Sequence, residues 1–219
     1  MIRVYFADAE ALNDEKLYTD YLNRISPFRK AKTERFKFRK DRNLSLGAGV
    51  LLDIGLEKYG MHEKEMQYLE NENGKPFFAN AQDIYFSISH SKDKLMVCFS
   101  DSEIGCDIEK ISKANLDVAE RFFNLNEYTE LIREENENER DELFCRLWTL
   151  KESFMKTVGG GLSIPMNSFE ILYENDNVAV KQSLNGKNYY FEEFNSFPEY
   201  KSAVCSMVRE TAVSEFIQF

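Results

Sequence analysis

An unbroken alternation of apolar and polar residues at 104–109 constrains the fold of this chain more than any other segment. Successive side chains of a β-strand point to opposite faces, so this period predicts a strand with one buried face. We expect Ile104, Cys106 and Ile108 to face the core and Gly105, Asp107 and Glu109 to share the other side.

The two acidic residues of this strand, Asp107 and Glu109, are suited to binding one cation. Residues two apart on a strand are roughly 6 to 7 Å apart at Cα, which lets their carboxylates converge. Gly105 leaves room for a ligand to approach the backbone. The alternative is that this face lies on an edge strand and is simply exposed to water.

A second pattern indicates a helix over 143–158, where apolar residues recur at helical spacing. Trp148, Glu152 and Lys156 stand at i, i+4 and i+8 and therefore share one adjoining face. A Glu–Lys pair at this spacing is typical of a surface salt bridge, which stabilises a helix by a few tenths of a kcal/mol. Glu152 is thus either such a surface residue or a further carboxylate for the cation.

A third pattern is the polar cluster Ser89-His90-Ser91 at the end of a predicted strand. Such a cluster binds phosphate in some proteins and forms an ordinary turn in others. A serine hydrolase is disfavoured because the chain contains no Gly-x-Ser-x-Gly nucleophile elbow.

The net charge of −10 is unevenly distributed. Between residues 29 and 42, eight basic residues oppose Glu34 and Asp41, so this segment carries +6 and the remainder −16. The segment is either a solvated helix face or a phosphate-binding patch. Nucleic-acid binding is disfavoured, because one short basic run lacks the broad positive surface that it requires.

Cysteine usage and the first residues indicate a cytoplasmic protein without a membrane partner. The four cysteines lie far apart and form no Cys-x-x-Cys pair, which favours reduced thiols. The apolar run at 2–6 is too short for a signal-peptide core or a membrane span. With only two histidines, any metal site should be built from oxygen atoms and hold Mg²⁺, with Mn²⁺ as the alternative.

Periodicity and turn residues suggest two similar halves that meet near residue 105, each running from strand to helices to strands. The segment 71–76 has the composition of a turn. We predict helices over 14–24, 28–59 (broken near 47–49), 116–133 and 143–158. We predict strands over 1–6, 84–88, 95–99, 104–108, 169–173, 178–182, 189–194 and 201–208.

Together these segments resemble the 4′-phosphopantetheinyl transferases of the surfactin-synthetase-activating type. The resemblance covers most of the chain, and Cys106 and Ser153 are mild departures from the family pattern that touch no proposed ligand. It rests on four motifs in the family's order and spacing: Gly74-Lys75-Pro76, Ser87-Ile88-Ser89-His90-Ser91, Gly105-Cys106-Asp107-Ile108-Glu109 and Trp148-Thr149-Leu150-Lys151-Glu152-Ser153.

The resemblance implies an α+β fold of two pseudo-symmetric lobes, each a small, mainly antiparallel sheet packed against helices. The active site would lie in the cleft between them. Residues 1–105 would form the lobe that binds coenzyme A (CoA), and residues 106–219 the lobe with the metal site and catalytic helix. We expect a monomer, because two lobes in one chain complete the cleft.

The activity implied is transfer of the 4′-phosphopantetheine group of CoA to a serine of an apo acyl or peptidyl carrier protein, with release of adenosine 3′,5′-bisphosphate. Mg²⁺ would be held by Asp107, Glu109 and Glu152, since the carboxylates would otherwise repel the substrate diphosphate. Glu152 would be the base, directly or through a water, and Lys156 would hold the leaving nucleotide.

The resemblance also implies a set of CoA contacts. Arg29 and Lys32 would meet the 3′-phosphate, and Ser45 the nucleotide. Lys151 would reach another phosphate or serve structure only, and Glu127 would lie near the metal or face solvent. The contacts at the diphosphate and adjoining groups would be Lys75, Ser89, His90 and Lys156.

Two other classes share parts of the pattern. A degenerate module that docks carrier proteins without chemistry would have lost one of the three carboxylates or Lys156, and all are present. A Mg²⁺-dependent polyphosphate or nucleotide hydrolase would share the carboxylates but would not need the Ser-His-Ser segment.

Overall fold

Two sheets, each covered by one long helix, form the frame of the molecule in a computed structural model that describes residues 1–174 and 177–219. One apolar core lies between the first sheet and its helix, a second lies between the second sheet and its helix, and a third joins the two sheets. The structure therefore has the α+β class and the two-lobed arrangement that the sequence predicts.

Five of the six helices in the described ranges begin where a short polar side chain accepts a backbone N–H of the first turn, as Asp14, Ser26, Asn115, Asn124 and Asn136 do; the helix that follows Phe38 has no such cap. None of the helices in the described ranges is long and apolar enough to cross a lipid bilayer. The helices are α1 (Glu15–Leu22), α2 (Pro27–Glu34), α3 (Arg39–Glu57), α4 (Leu116–Phe122), α5 (Leu125–Arg133) and α6 (Glu137–Val158).

The prediction for residues 28–59 was wrong about where the helix breaks. The structure divides the segment at residues 35–38, and α3 runs without interruption through Gly47 and Gly49. A Cβ on Gly47 would lie only 2.5 Å from the side chain of Leu95. The glycine therefore allows α3 to approach the sheet closely and does not end the helix.

The prediction of one helix over 116–133 was also wrong, because Asn124 caps a new helix. Its side chain accepts the N–H of Asn126, and its own N–H donates to the carboxylate of Glu127 at 2.8 Å. Helix α6 begins earlier than predicted, at Glu137, so most of the polar stretch 134–142 forms its first turns.

The predicted strands are all present, with small shifts at their ends. The first sheet has the order β11-β1-β5-β4 and the second β6-β10-β9, while β2–β3 and β7–β8 are separate hairpins. The strands are β1 (Arg3–Asp8), β2 (Tyr68–Glu70), β3 (Pro76–Phe78), β4 (Tyr85–Ser91), β5 (Lys94–Ser100), β6 (Ile104–Lys110), β7 (Glu170–Glu174), β8 (Asn177–Lys181), β9 (Tyr190–Phe194), β10 (Tyr200–Ser206) and β11 (Val213–Ile217).

Strand β11 was not predicted, and it lies parallel to β1 in the first sheet, whereas the other strand pairs of the described chain are antiparallel. The predicted division at residue 105 falls within β6, and the chain returns to the first lobe at β11. The assignment of 1–105 and 106–219 to two lobes stays a prediction.

The facing edges of the two sheets, β4 and β6, are joined by side chains. Three serines project from alternate positions of β4, and their hydroxyl oxygens accept backbone N–H groups of β6. We call this arrangement the serine ladder. Ser87 accepts the N–H of Cys106 at 3.1 Å, Ser89 that of Ile108 at 3.4 Å and Ser91 that of Lys110 at 3.1 Å.

The alternation at 104–109 is confirmed on its apolar side, since Ile104, Cys106 and Ile108 are fully buried in the core between the sheets. The expectation that Gly105 leaves room for a ligand was wrong. A Cβ at this position would lie 2.3 Å from the carbonyl oxygen of Ser153 and 2.5 Å from the nitrogen of Thr157. The space is occupied by the backbone of α6.

We predict that Gly105→Ala lowers the free energy of unfolding by about 1–3 kcal/mol or more, because the helix backbone must shift to admit the methyl group. Urea denaturation measures this change. Gly186→Ala is the control, since a Cβ there meets nothing within 4 Å. Equal stability of the two variants would contradict close packing as the reason for Gly105.

Candidate active site

Asp107 and Lys156 meet at the middle of the serine ladder. The Lys156 ammonium donates to Asp107 Oδ1 at 2.7 Å, to Ser89 Oγ at 3.2 Å and to the Cys106 carbonyl at 3.1 Å. The Ser89 hydroxyl also donates to Asp107 Oδ1 at 2.7 Å. Strand β4, strand β6 and helix α6 each supply one member of this group.

Burial and the opposite charges of Asp107 and Lys156 determine the electrostatics of this group. Asp107 is buried, and its second oxygen, Oδ2, has no hydrogen-bond partner in the described residues. Burial disfavours the Lys156 cation, but Asp107, together with Cys106 and Glu152, outweighs it and raises the pKa of Lys156. Lys156 is therefore charged at neutral pH and balances Asp107.

The other two predicted metal ligands lie beside this pair. Glu109 Oε2 accepts the hydroxyl of Ser91 at 2.7 Å, so the last member of the serine ladder orients it. Glu152 is half-buried on α6. Burial raises the pKa of both Glu109 and Glu152, and the charge of Asp107 raises them further. Three mutually repelling carboxylates at one site indicate a cation as a missing partner.

The donor set fits a hard cation in its chemistry, since it consists of carboxylates with one buried oxygen unpaired. The three groups do not converge as tightly as acidic clusters elsewhere in the described chain. Ligand atoms all within 4.8 Å of one another occur at Asp53, Glu57 and His62 and at Asp8, Glu10 and Asp93, but not at the predicted trio.

A cleft of about 320 Å³ opens between the lobes next to this group. Its walls come from both lobes: the turn at 73–76 and strand β4 on one side, and α6 with the glycines after it on the other. The cleft is lined by Lys75, Phe86 and Ile88 from the first lobe and by Glu152, Met155 and Lys156 from the second. The mixture of apolar and charged walls suits a ligand with both kinds of surface.

Lys75 lies where the two lobes touch at one end of the cleft. Its ammonium donates to Glu103 at 2.7 Å and to the Ile104 carbonyl at 3.2 Å. Asn71 and Asn73 of the same turn donate to the carbonyl of Gly159 just after α6, at 3.0 and 3.2 Å. These bonds attach the turn to the opposite wall of the cleft, at the end of α6, and Lys75 faces the cleft.

Lys151 has a structural position. Its side chain is fully buried, its ammonium binds both oxygens of Glu127 at 2.8 and 2.7 Å, and it donates to the carbonyl of Phe169 at 2.9 Å. The structure thus favours the structural alternative for Lys151. Glu127 is also buried, so the alternative that it faces solvent was wrong, while a position near the metal stays a prediction.

The predicted 3′-phosphate residues form a separate group on α2 and α3. Arg29 is buried beside Glu63, while Lys32 is exposed one turn further on. Partial desolvation of its ammonium and the nearby Arg29 cation lower the pKa of Lys32. The hydroxyl of Ser45 lies 2.8 Å from that of Thr33 and joins the two helices.

His90 lies near the end of β4. Desolvation of its ring and the Lys156 cation lower its pKa, so the imidazole is neutral at pH 7. The segment Ser89-His90-Ser91 is part of a strand, and the turn follows at Lys92, whose φ is 57°. The alternative of an ordinary turn at this segment was therefore wrong.

Sequence reasoning missed the contacts of several residues that shape the site. Ser87 and Ser91 join the lobes, Glu103 anchors Lys75, and Glu63 contacts the predicted phosphate helix. The period of two in Ser87, Ser89 and Ser91 was a usable signal, because it places three hydroxyls on one face of a strand. No local pattern marks Glu63 or Glu103, since their partners are distant in the chain.

Comparison with known proteins identifies the family. A family model described as the 4′-phosphopantetheinyl transferase superfamily matches residues 103–208. The 4′-phosphopantetheinyl transferase Sfp of Bacillus subtilis is 32% identical over 188 residues, which cover 85% of this chain and 84% of that protein. The 4′-phosphopantetheinyl transferase gsp of Aneurinibacillus migulanus is 30% identical over 208 residues, or 94% and 86%.

Among solved structures, a holo-(acyl-carrier-protein) synthase from Bacillus anthracis in complex with CoA (3′,5′-ADP) is similar with a TM-score of 0.40 and 18% identity. The similarity covers 48% of this chain and 95% of that one. The two transferase relatives match along most of the length of both chains, and three of the four motifs contribute residues to the cleft. The chain belongs to the 4′-phosphopantetheinyl transferase superfamily and is a transferase of the Sfp-like type.

Proposed function

We propose that this enzyme transfers the 4′-phosphopantetheine group of CoA to a serine of an apo acyl or peptidyl carrier protein, with Mg²⁺ as cofactor, and releases adenosine 3′,5′-bisphosphate. One observation carries the assignment of the site. Glu152 and Lys156 line the interlobe cleft, and Lys156 binds Asp107, which shares its strand with Glu109, in a chain that belongs to this family.

The first step is attack by the carrier serine. Its oxygen forms a bond to the phosphorus that bears the pantetheine arm, and its proton passes to Glu152, directly or through a water. Burial and the charge of Asp107 raise the pKa of Glu152, which makes this carboxylate a better proton acceptor than an exposed glutamate.

The leaving group is the adenosine 3′,5′-bisphosphate, whose bond to the attacked phosphorus breaks. Negative charge then develops on the departing oxygen. Lys156 is charged and borders the cleft, so its ammonium is placed to stabilise that oxygen once it exchanges one of its protein acceptors for the substrate.

Asp107, Glu109 and Glu152 would hold the Mg²⁺, and the unpaired Oδ2 of Asp107 supports this assignment. When bound, the ion neutralises charge on the diphosphate and on the three carboxylates. Ser89 and Ser91 orient two of these carboxylates from the serine ladder. Because the carboxylates are not drawn together, we expect the site to tighten on binding.

CoA would lie in the cleft with its diphosphate near Lys75, Ser89 and His90, and with its 3′-phosphate toward Arg29, Lys32 and Ser45. Residues 1–105 would then contribute most CoA contacts and residues 106–219 the metal site. We expect a monomer, because one chain supplies both walls of the cleft. The four free, buried thiols are compatible with the predicted cytoplasmic location.

The test is to incubate the protein with CoA, Mg²⁺ and a panel of apo carrier proteins and to weigh each carrier by mass spectrometry. A mass gain equal to one phosphopantetheine group supports the proposal. Binding without a mass gain would favour a docking module, and hydrolysis of CoA without carrier would favour a hydrolase.

We predict that chelation with EDTA abolishes transfer and that Mg²⁺ or Mn²⁺ restores it, because the proposed ligands are carboxylates that prefer hard cations. The transfer rate at a series of free metal concentrations measures the dependence. Zn²⁺ serves as the comparison ion, and full activity in excess chelator would overturn the metal assignment.

We predict that Glu152→Gln reduces transfer at least about a hundredfold, because it removes both a metal ligand and the base. The melting temperature should be unchanged or slightly higher, since a half-buried charge beside Asp107 is removed. Single-turnover transfer and thermal unfolding measure the two effects. Glu139→Gln, an exposed change on the same helix, is the control, and wild-type turnover by Glu152→Gln would remove this residue from the mechanism.

We predict that Lys32→Ala weakens binding of CoA about tenfold and leaves binding of 3′-dephospho-CoA within twofold, because it removes a cation from the 3′-phosphate. Isothermal titration calorimetry with both ligands measures the difference. Lys30→Ala is the matched control, since this lysine points to the opposite side of α2. An equal loss for both ligands would mean that Lys32 does not recognise the 3′-phosphate.

A further inference from the structure

Glu63 is a fully buried carboxylate that the proposed mechanism does not use. Its Oε1 accepts the hydroxyls of Ser26 and Tyr68, both at 2.8 Å, and its Oε2 accepts the backbone N–H of Ser26 at 2.6 Å. Burying a charge is costly unless several partners compensate for it. These three hydrogen bonds therefore fix the position of this carboxylate closely.

Two of the three groups that bind Glu63 belong to Ser26, at the start of α2, and the third is Tyr68 of β2. Ser26 caps the helix, and its hydroxyl oxygen also accepts the N–H of Arg29 at 3.1 Å. The N–H of Glu63 itself donates to Asp53 of α3 at 2.8 Å. A continuous set of hydrogen bonds thus runs from α3 through Glu63 and Ser26 to the backbone of Arg29.

The side chain of Arg29 is held by the same carboxylate. Its Nε lies 3.8 Å from Glu63 Oε1, and its guanidinium carbon lies 4.9 Å from the centre of the Tyr68 ring. This Nε is buried and has no hydrogen-bond partner in the described residues. Charge attraction and the ring contact therefore orient the guanidinium without using all its donors.

We propose that Glu63 is a positioning residue for recognition of the CoA 3′-phosphate. It fixes the first turn of α2 and orients the Arg29 guanidinium so that its free donors face the phosphate. The inference rests on the proposed function, in which Arg29 and Lys32 bind that group. A carboxylate near an anion site weakens anion binding by its charge, so any benefit from Glu63 must come from orientation.

The charge of Glu63 would weaken anion binding and its orienting role would strengthen it, so the direction of the change in affinity tells the two apart. In Glu63→Gln, the negative charge is lost, and the amide NH₂ must face a donor from Ser26 or Tyr68. We expect adenosine 3′,5′-bisphosphate to bind about tenfold more weakly and adenosine 5′-phosphate to bind within twofold of wild type. The KM for CoA should rise with kcat unchanged, and the KM for 3′-dephospho-CoA should stay the same.

Two further variants control the experiment. Glu65→Gln makes the same charge change on the same turn, but its carboxylate is exposed and accepts only the N–H of His62, at 2.9 Å, among the bonds described. It should bind both nucleotides as wild type does. Tyr68→Phe keeps the ring over Arg29 and removes one hydrogen bond to Glu63, so it should give a smaller loss, again confined to the 3′-phosphorylated ligand.

Tighter or unchanged binding of adenosine 3′,5′-bisphosphate by Glu63→Gln would overturn the proposal, as would an equal loss for both nucleotides. If Glu63→Gln fails to fold, the Tyr68→Phe result decides by the same criterion. Lys32→Ala separates this inference from the proposed function. If Lys32→Ala discriminates between the ligands and the Glu63 and Tyr68 variants do not, only the inference fails; if none does, the 3′-phosphate assignment fails.

Discussion

The serine ladder is the contact on which the rest of the structure depends. The edge strands β4 and β6 belong to different sheets, and backbone pairing between them would merge the sheets and close the cleft. Side-chain hydroxyls hold the strands in a parallel alignment and satisfy the free N–H groups of the β6 edge. Because two of these hydroxyls also donate to Asp107 and Glu109, the joint between the lobes and the orientation of the acidic site have the same cause.

The acidic site itself is costly to the fold. Asp107 is buried with one oxygen that has no partner in the described part of the chain, and burial raises the pKa of both neighbouring glutamates. The compensating cation at the group, Lys156, comes from α6, which can approach only because β6 has Gly105 where the two backbones meet. Packing and electrostatics are thus coupled: a larger residue at 105 would displace both the helix and the charge that balances the site.

Much of this arrangement could be predicted from the sequence, because it depends on local periods. The alternation at 104–109 gave the apolar face of β6, and the turn residues at 71–76 gave the start of one cleft wall.

What could not be predicted depends on contacts between distant segments. Helical periodicity does not distinguish a glycine that breaks a helix from one that touches a sheet, as Gly47 does. The sequence around a lysine within a family motif, such as Lys151, does not indicate that its ammonium binds Glu127. Burial of Arg29 by Glu63 likewise depends on residues far apart in the chain.

The parallel pairing of β1 with β11 has a consequence for how the molecule is made. Arg3 aligns with Val213, so the first sheet is completed by residues about two hundred positions further along the chain. During synthesis the outer edge of β1 stays open while the second lobe is being built, and its exposed backbone groups can pair with other chains. Contacts of such long sequence separation also slow folding. Before β11 is synthesised, the first lobe is incomplete, and this is when the protein most needs protection from aggregation.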